Sequence, residues 1–168
     1  MSDQTEAIAV RACAAILNRG SLCLIRRGRL DGDQYSLPGG LVCPEESVAQ
    51  ALARELKEEL HLDIDTLDGP PTLLWVQDQQ NTRPDHEGAF RRLHLIHRLS
   101  IPDGTRRSLP AVEQDADDAN AVMWVPLRRA AELHLYPAVG PYLGAIDELP
   151  SEPNVMLPPM NDEKFAWR

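Results

Sequence analysis

Residues 40–62 read GLVCPEESVAQALARELKEELHL, and the interpretation of the whole chain starts from this stretch. It opens at a turn that ends with Gly40, and its second half predicts a helix from Ser47 to Leu60. Ser47 is a suitable N-cap, because its hydroxyl can accept a hydrogen bond from a free backbone N–H of the first helical turn. The sequence therefore predicts a turn that leads directly into a short helix.

This helix carries three carboxylates on one stripe. With Glu55 set at 0° and about 100° per residue, Glu58 lies at about −60° and Glu59 at about +40°. Three like charges at this spacing destabilise an isolated helix by a few tenths of a kcal/mol per pair, and a cation among them would reverse that sign. Mg²⁺ prefers such oxygen ligands. The charge pattern alone leaves two interpretations open, a divalent-metal site and a solvated helix face.

Length and charge restrict the class of protein. The 168 residues predict one domain, and the formal net charge of −9 does not attract extended nucleic acid. A phosphate substrate would therefore need metal ions or a local arginine cluster. No apolar run reaches the ~20 residues needed to cross a bilayer, and the polar start is unlike a signal peptide. We therefore expect a cytoplasmic protein without a membrane partner.

The order of predicted elements is β-β-β-α-β-β-β-α-α, which indicates an α/β or α+β layered domain with a mixed sheet. The domain is expected to span residues 1–150. Residues 151–168 form a Pro-rich extension that is expected to pack on this domain or on a partner protomer, because exposed Phe165 and Trp167 would be costly. A homodimer stays open.

Several weaker expectations concern the segments around the helix. Residues 78–92 predict a long polar loop, which we expect to select the substrate. Helical pieces are predicted at residues 127–133 and 139–149. Cys13 and Cys23 are expected to be reduced core residues. Candidate substrate-binding residues are Arg26, Arg27, Phe90, Arg91 and Asp118. For the two arginines of this set that follow the second strand the alternative is a solvated strand end, and for Phe90 it is core packing.

The spacing of residues 40–62 resembles the Nudix hydrolase signature. That signature has Gly, five residues, Glu, seven residues, Arg-Glu, an aliphatic residue, any residue, Glu-Glu, any residue, Gly and an aliphatic residue. All specified positions match except His61, which stands where the family has Gly. The matching residues are Gly40, Glu46, Arg54, Glu55, Leu56, Glu58, Glu59 and Leu62.

This resemblance implies a Nudix-type α/β/α sandwich with a mixed central sheet. It also implies a diphosphatase that uses Mg²⁺ or Mn²⁺, with Glu55, Glu58 and Glu59 as catalytic metal ligands and the Gly40 carbonyl as a further ligand. The implied substrate is a nucleoside diphosphate linked to another group, such as a nucleoside triphosphate, a nucleotide sugar or an ADP-ribose-like molecule. The alternative is a Nudix-fold nucleotide-binding module without catalysis.

The resemblance assigns further roles within and near residues 40–62, which we call the box. Glu46 and Arg54 are expected to form a structural ion pair. Glu55 is the candidate base, and Glu113, Asp115, Asp117 or Asp118 could supply the base or another ligand instead. His61 replaces a residue that ends the helix in a left-handed conformation, so it should cost about 1 kcal/mol of stability and no activity.

Overall fold

The computed structural model describes residues 7–114, 120–147 and 154–168, and Asp115, Asp117 and Asp118 lie outside these ranges. The strands are β1 Ala9–Asn18, β2 Ser21–Arg27, β3 Gln34–Ser36, β4 Gly39–Leu41, β5 Thr72–Asn81, β6 Phe90–Ser100, β7 Ala121–Pro126 and β8 Leu135–Tyr136. The helices are α1 Val48–Leu60, α2 Asp103–Ser108 and α3 Leu127–Ala130, with 3₁₀ turns at Ile64–Thr66 and Gly140–Ala145.

The strands form one mixed sheet in the order β5-β6-β1-β2-β3-β8, with β4 paired to β1 and β7 paired to β2. The β1–β6 and β3–β8 pairs are parallel, and the other pairs are antiparallel. The edge of β1 is shared, because its first half pairs with β4 and its end pairs with β2. This sharing holds the Gly39–Leu41 strand beside the centre of the sheet.

Side chains of β1 alternate between two buried layers, as a strand covered on both faces requires. Ala12, Ala14 and Ile16 face α1, whereas Cys13 and Ala15 belong to the opposite core. That opposite core includes α3 and the Gly140–Ala145 turn through Ala130 and Leu143. The predicted α/β/α arrangement with a mixed sheet is therefore confirmed.

The prediction of a long polar loop over residues 78–92 was wrong. Strand β5 continues to Asn81 and β6 starts at Phe90, so the connection covers only residues 82–89. The polar residues of these strands have partners that the sequence does not reveal, such as the ion pair between Asp78 and Arg91. The polar residues that predicted a loop therefore belong largely to two paired strands.

The helical predictions differ in quality. Helix α1 begins after Ser47 and ends at Leu60, as predicted. The piece predicted at 127–133 is helical only to Ala130. The piece predicted at 139–149 is a 3₁₀ turn over Gly140–Ala145, and residues 148–149 lie outside the described ranges. Within those ranges, no helix is long and apolar enough to cross a membrane.

Candidate metal-dependent active site

The turn before α1 brings backbone against a carboxylate. Gly39 has φ of 139°, and a Cβ added there would lie 2.2 Å from the Ala12 carbonyl oxygen. A Cβ added to Gly40 would lie 2.3 Å from the Cδ and Oε1 atoms of Glu55. The two glycines therefore serve different contacts, one with the β1 backbone and one with the Glu55 side chain.

Both ends of α1 are capped, which fixes the rotation of its acidic stripe. The Ser47 hydroxyl accepts a hydrogen bond from the Gln50 N–H at 3.2 Å, and the Gln50 side chain accepts one from the Ser47 N–H at 2.8 Å. This reciprocal pair is a capping box. His61 ends the helix in the left-handed conformation with φ of 53°, which confirms the conformation expected from its position.

The three carboxylates differ in exposure. Glu55 and Glu59 are buried, with 9% and 5% of their surface exposed. Glu58 is more open, because 42% of its side chain is exposed. One Glu59 oxygen accepts a hydrogen bond from the Gly39 N–H at 2.8 Å. The acidic stripe is thus closed over by the glycine turn on one side and open to solvent at Glu58.

Arg54 connects three carboxylates through one guanidinium. Its Nε and Nη2 donate to the two oxygens of Glu46 at 3.0 and 2.7 Å, which is a two-point ion pair. Its Nη1 donates to Glu55 at 2.7 Å and to Glu58 at 3.1 Å. The Arg54 hydrogen bonds, together with the Cys43 N–H, lower the pKa of Glu46 to about 2.

Glu59 has the opposite electrostatic environment. Burial raises its pKa to about 8, since the charged form loses water. The Gly39 N–H and the Arg11 guanidinium oppose this shift, and the carboxylate of Glu113 adds to it. A buried carboxylate next to a second one is an environment that a cation would stabilise.

Glu113 reaches the site from the segment after α2. One of its oxygens accepts from Arg27 at 3.0 Å and the other accepts from Asn120 at 2.9 Å. The N–H of the next residue, Gln114, donates to the Glu59 carbonyl at 3.0 Å. Sequence reasoning named Glu113 as one of four acidic candidates without separating it from the others. The structure places Glu113 beside Glu59, and the other three candidates lie outside the described residues.

The donor set fits a hard divalent cation, although the side chains are not arranged as a closed ligand shell. No group of three or more His, Cys, Asp or Glu side chains among the described residues is positioned to hold a metal ion. Instead, the Arg54 Nη1 atom places a positive charge between Glu55 and Glu58. Carboxylate oxygens converging on one cation, beside the Gly40 backbone, are the ligand chemistry that Mg²⁺ and Mn²⁺ prefer.

The structure places the predicted substrate-binding residues in three different parts of the molecule. Arg27 reaches the site through its ion pair with Glu113, whereas Arg26 is exposed at the end of β2. Phe90 is buried, with 8% of its surface exposed, and Arg91 pairs with Asp78. Phe90 and Arg91 border a separate groove of about 570 Å³ whose lining contains none of the box residues.

Sequence reasoning missed Arg11. This arginine is only 6% exposed and lies inside β1. It donates to the Leu37 carbonyl at 2.8 Å and to the Gly39 carbonyl at 3.2 Å, so it supports the glycine turn from the sheet side. The available signal was a single charge within an otherwise apolar strand, because a charge is buried only where it is paired or hydrogen-bonded.

Comparisons with known proteins match most of the chain. Residues 7–143 match the NUDIX domain. CTP pyrophosphohydrolase from Escherichia coli (strain K12) is 31% identical over 141 residues, which cover 81% of this chain and 90% of that protein. The MutT NUDIX hydrolase structure from Burkholderia pseudomallei is 25% identical with a TM-score of 0.53, covering 73% of this chain and 85% of that one. The solution structure of the E. coli ORF135 protein is 25% identical with a TM-score of 0.53, covering 86% and 94%.

Proposed function

The chain belongs to the Nudix hydrolase family, and from that premise we propose that it hydrolyses a nucleoside diphosphate linked to another group with the help of Mg²⁺ or Mn²⁺. The observation that carries the proposal is the contact between the Gly40 backbone and the Glu55 carboxylate, on a helix that also presents Glu58 and Glu59. Similarity to a CTP pyrophosphohydrolase favours a nucleoside triphosphate as the substrate.

The box carboxylates and the Gly40 carbonyl would hold the metal. When bound, a divalent metal neutralises the diphosphate and lowers the pKa of a bound water. When the metal binds, Arg54 would release Glu55 and Glu58 and would keep its two-point ion pair with Glu46. The guanidinium would thereby stay fixed at the start of the helix while both carboxylates become available.

Glu55 is the proposed base that accepts the proton of the attacking water. Glu113 is less suited to this step, because both of its oxygens already accept hydrogen bonds from Arg27 and Asn120. Its fixed negative charge beside Glu59 is better suited to positioning Glu59 or adding a ligand. Arg27 and Asn120 therefore act through Glu113 in this scheme.

The experiment measures phosphate, pyrophosphate and nucleotide release from nucleoside triphosphates, sugar nucleotides, ADP-ribose and dinucleoside polyphosphates, with Mg²⁺, Mn²⁺ or EDTA. Glu55→Gln, Glu58→Gln and Glu59→Gln are compared with Glu45→Gln, an exposed acid at a position of the box that the signature leaves unspecified. Loss of a general base lowers turnover by about 10²–10⁴-fold, so we expect at least the lower value for Glu55→Gln. Glu45→Gln should match the wild type. Turnover that survives EDTA, or wild-type turnover in Glu59→Gln, would refute the metal assignment.

A further inference from the structure

The C-terminal strap, residues 154–168, lies against the sheet on the face opposite α1. Its Leu157 belongs to the core on that face. The first part follows β5 through four backbone hydrogen bonds of 2.7–3.0 Å, at Val155, Leu157 and Met160. Pro158 and Pro159 interrupt the pairing because they have no N–H. The strap is therefore an incomplete extra strand, and its last residues leave β5 and cross the sheet.

One aromatic residue of the strap, Phe165, packs against two rings of the domain and one ring of the strap itself. Phe165 is 2% exposed. It stacks on His134, with ring centres 4.5 Å apart and 15° between the planes. Tyr136 lies 5.4 Å away and Trp167 5.3 Å away, and they close two more sides. The rings of His134, Tyr136 and Trp167 thus form an aromatic ring box around Phe165.

The floor beside this box is a row of polar side chains on three adjacent strands. Gln77 pairs in register with His94, and His94 pairs with Arg11. All three are buried, and each has one atom without a hydrogen-bond partner among the described residues: Gln77 Oε1, His94 Nδ1 and Arg11 Nη1. A buried polar atom without a partner destabilises the fold, because it has lost its hydrogen bonds to water. The strap reaches this floor at Gln77, whose Nε2 donates to the Pro158 carbonyl at 3.2 Å, and the three other atoms stay without a partner among the described residues.

The floor is continuous with the candidate active site. Arg11 donates to the Gly39 carbonyl, and the Gly39 N–H donates to Glu59. On its other side, the Arg11 guanidinium lies 5.3 Å from the centre of the Tyr136 ring, which packs against Phe165. One buried arginine thus touches both the glycine turn of the metal site and the ring box beneath the strap.

We propose that Phe165 occupies the place of the flat heterocyclic ring of the nucleotide substrate, so that the strap is an autoinhibitory cover that substrate must displace. The proposal rests on the nucleotide specificity proposed above. A nucleobase would replace the stacking of Phe165 on His134 and would offer donors and acceptors to Gln77, His94 and Arg11. This exchange offsets the loss of Phe165 burial.

The contacts that hold the end of the strap suit reversible release. Asp162 accepts hydrogen bonds from the N–H and hydroxyl of Thr82 at 2.7 and 2.9 Å, and both contacts are exposed. Arg168 donates to the Asp33 carbonyl at 3.0 Å, also at the surface. Exposed hydrogen bonds exchange readily with water and contribute little net stability. The interior contacts of the crossing segment come from Phe165 and from Trp167, whose ring packs against Phe90 and Tyr136.

The first test is hydrogen exchange on the wild-type chain. The probes are the α,β-methylene analogues of CTP and ATP with Mg²⁺, and their binding is measured in parallel by calorimetry. With at least one analogue bound, the Phe165 amide should exchange tenfold faster or more, while amides of β1 stay unchanged. A bound analogue that leaves Phe165 exchange unchanged or slower overturns the cover and leaves the proposed hydrolysis standing. Faster exchange in a chain that hydrolyses nothing supports the cover and refutes the proposed function.

The second test separates a cover from a permanent wall. Phe165→Ala is compared with Met156→Ala, which lies on the same strap but is 56% exposed. For CTP or ATP, Phe165→Ala should lower KM threefold or more with kcat unchanged, and Met156→Ala should change neither. A higher KM in Phe165→Ala would make the ring part of the substrate site, and an unchanged KM would make it a structural anchor. Either result overturns the proposal, and Phe165→Leu repeats the test if the alanine variant does not fold.

Discussion

Gly40→Ala should lower the activity of the protein while leaving its thermal stability almost unchanged. The new Cβ would lie 2.3 Å from the Glu55 carboxylate, where ordinary contacts need at least 3.4 Å. The carboxylate is the flexible end of a side chain, so it would retreat by about 1 Å instead of unfolding the turn. A misplacement of about 1 Å costs about 10²-fold in rate, which corresponds to about 2.7 kcal/mol of transition-state stabilisation.

The neighbouring Gly39→Ala should instead lower the stability of the fold. Its Cβ would lie 2.2 Å from the Ala12 carbonyl and 2.5 Å from the Cys13 Cα, both backbone atoms. The φ of 139° adds strain, because this region is nearly exclusive to glycine. Strain and overpacking together should cost about 3 kcal/mol, which lowers Tm by roughly 6–12 °C for a domain of this size.

The assay measures kcat/KM with Mg²⁺ and Tm for both variants, with Gly69→Ala as the matched control. A Cβ at Gly69 would meet nothing within 4 Å, so this variant should resemble the wild type in both measurements. Gly40→Ala should keep Tm within about 3 °C of the wild type, about 1 kcal/mol, while losing activity. If Gly40→Ala keeps kcat/KM within threefold of the wild type, the Glu55 position is not critical and the reasoning fails.

Further predictions follow from the same contacts. Because Arg54 lowers the pKa of Glu46 to about 2, Glu46→Gln should lower Tm by a constant amount above about pH 4.5, and the gap should close as pH falls towards 2 in thermal scans. His61→Gly should raise stability by about 1 kcal/mol in urea titrations, because glycine relieves the left-handed conformation, and it should leave activity unchanged. An inactive His61→Gly would contradict that prediction. Glu113→Gln should lower kcat while leaving Tm close to that of the wild type, since it removes a charge next to Glu59. Wild-type activity in this variant would exclude Glu113 from the site. Replacing residues 82–89 by a Gly/Ser linker should alter the ranking of substrates in the screen, and an unchanged ranking would show that this connection does not select them.

Local signals predicted the elements that depend on neighbours in the chain. Ser47 as N-cap, the end of α1 at Leu60 and the left-handed His61 depend on hydrogen bonds that span only a few residues. The length of β5 could not be predicted in this way. Asn81 has its partners in Gln79 and in the strap, where Phe165 is 84 positions away. Polar strand residues with distant partners look like a loop in the sequence alone.

The sequence by itself determined the family, the α/β/α fold and the acidic stripe, because the spacing of Gly40, Glu46, Arg54 and the glutamates is a local property of one turn and one helix. Only the tertiary structure decided that Glu113 stands beside Glu59 and that Arg11 supports the Gly39 turn. It also decided that Phe165 stacks on His134 and packs against Tyr136, the ring that contacts His94 and Arg11. These contacts join residues far apart in the chain, so they form only when the sheet aligns its strands and buries charges that must then find partners.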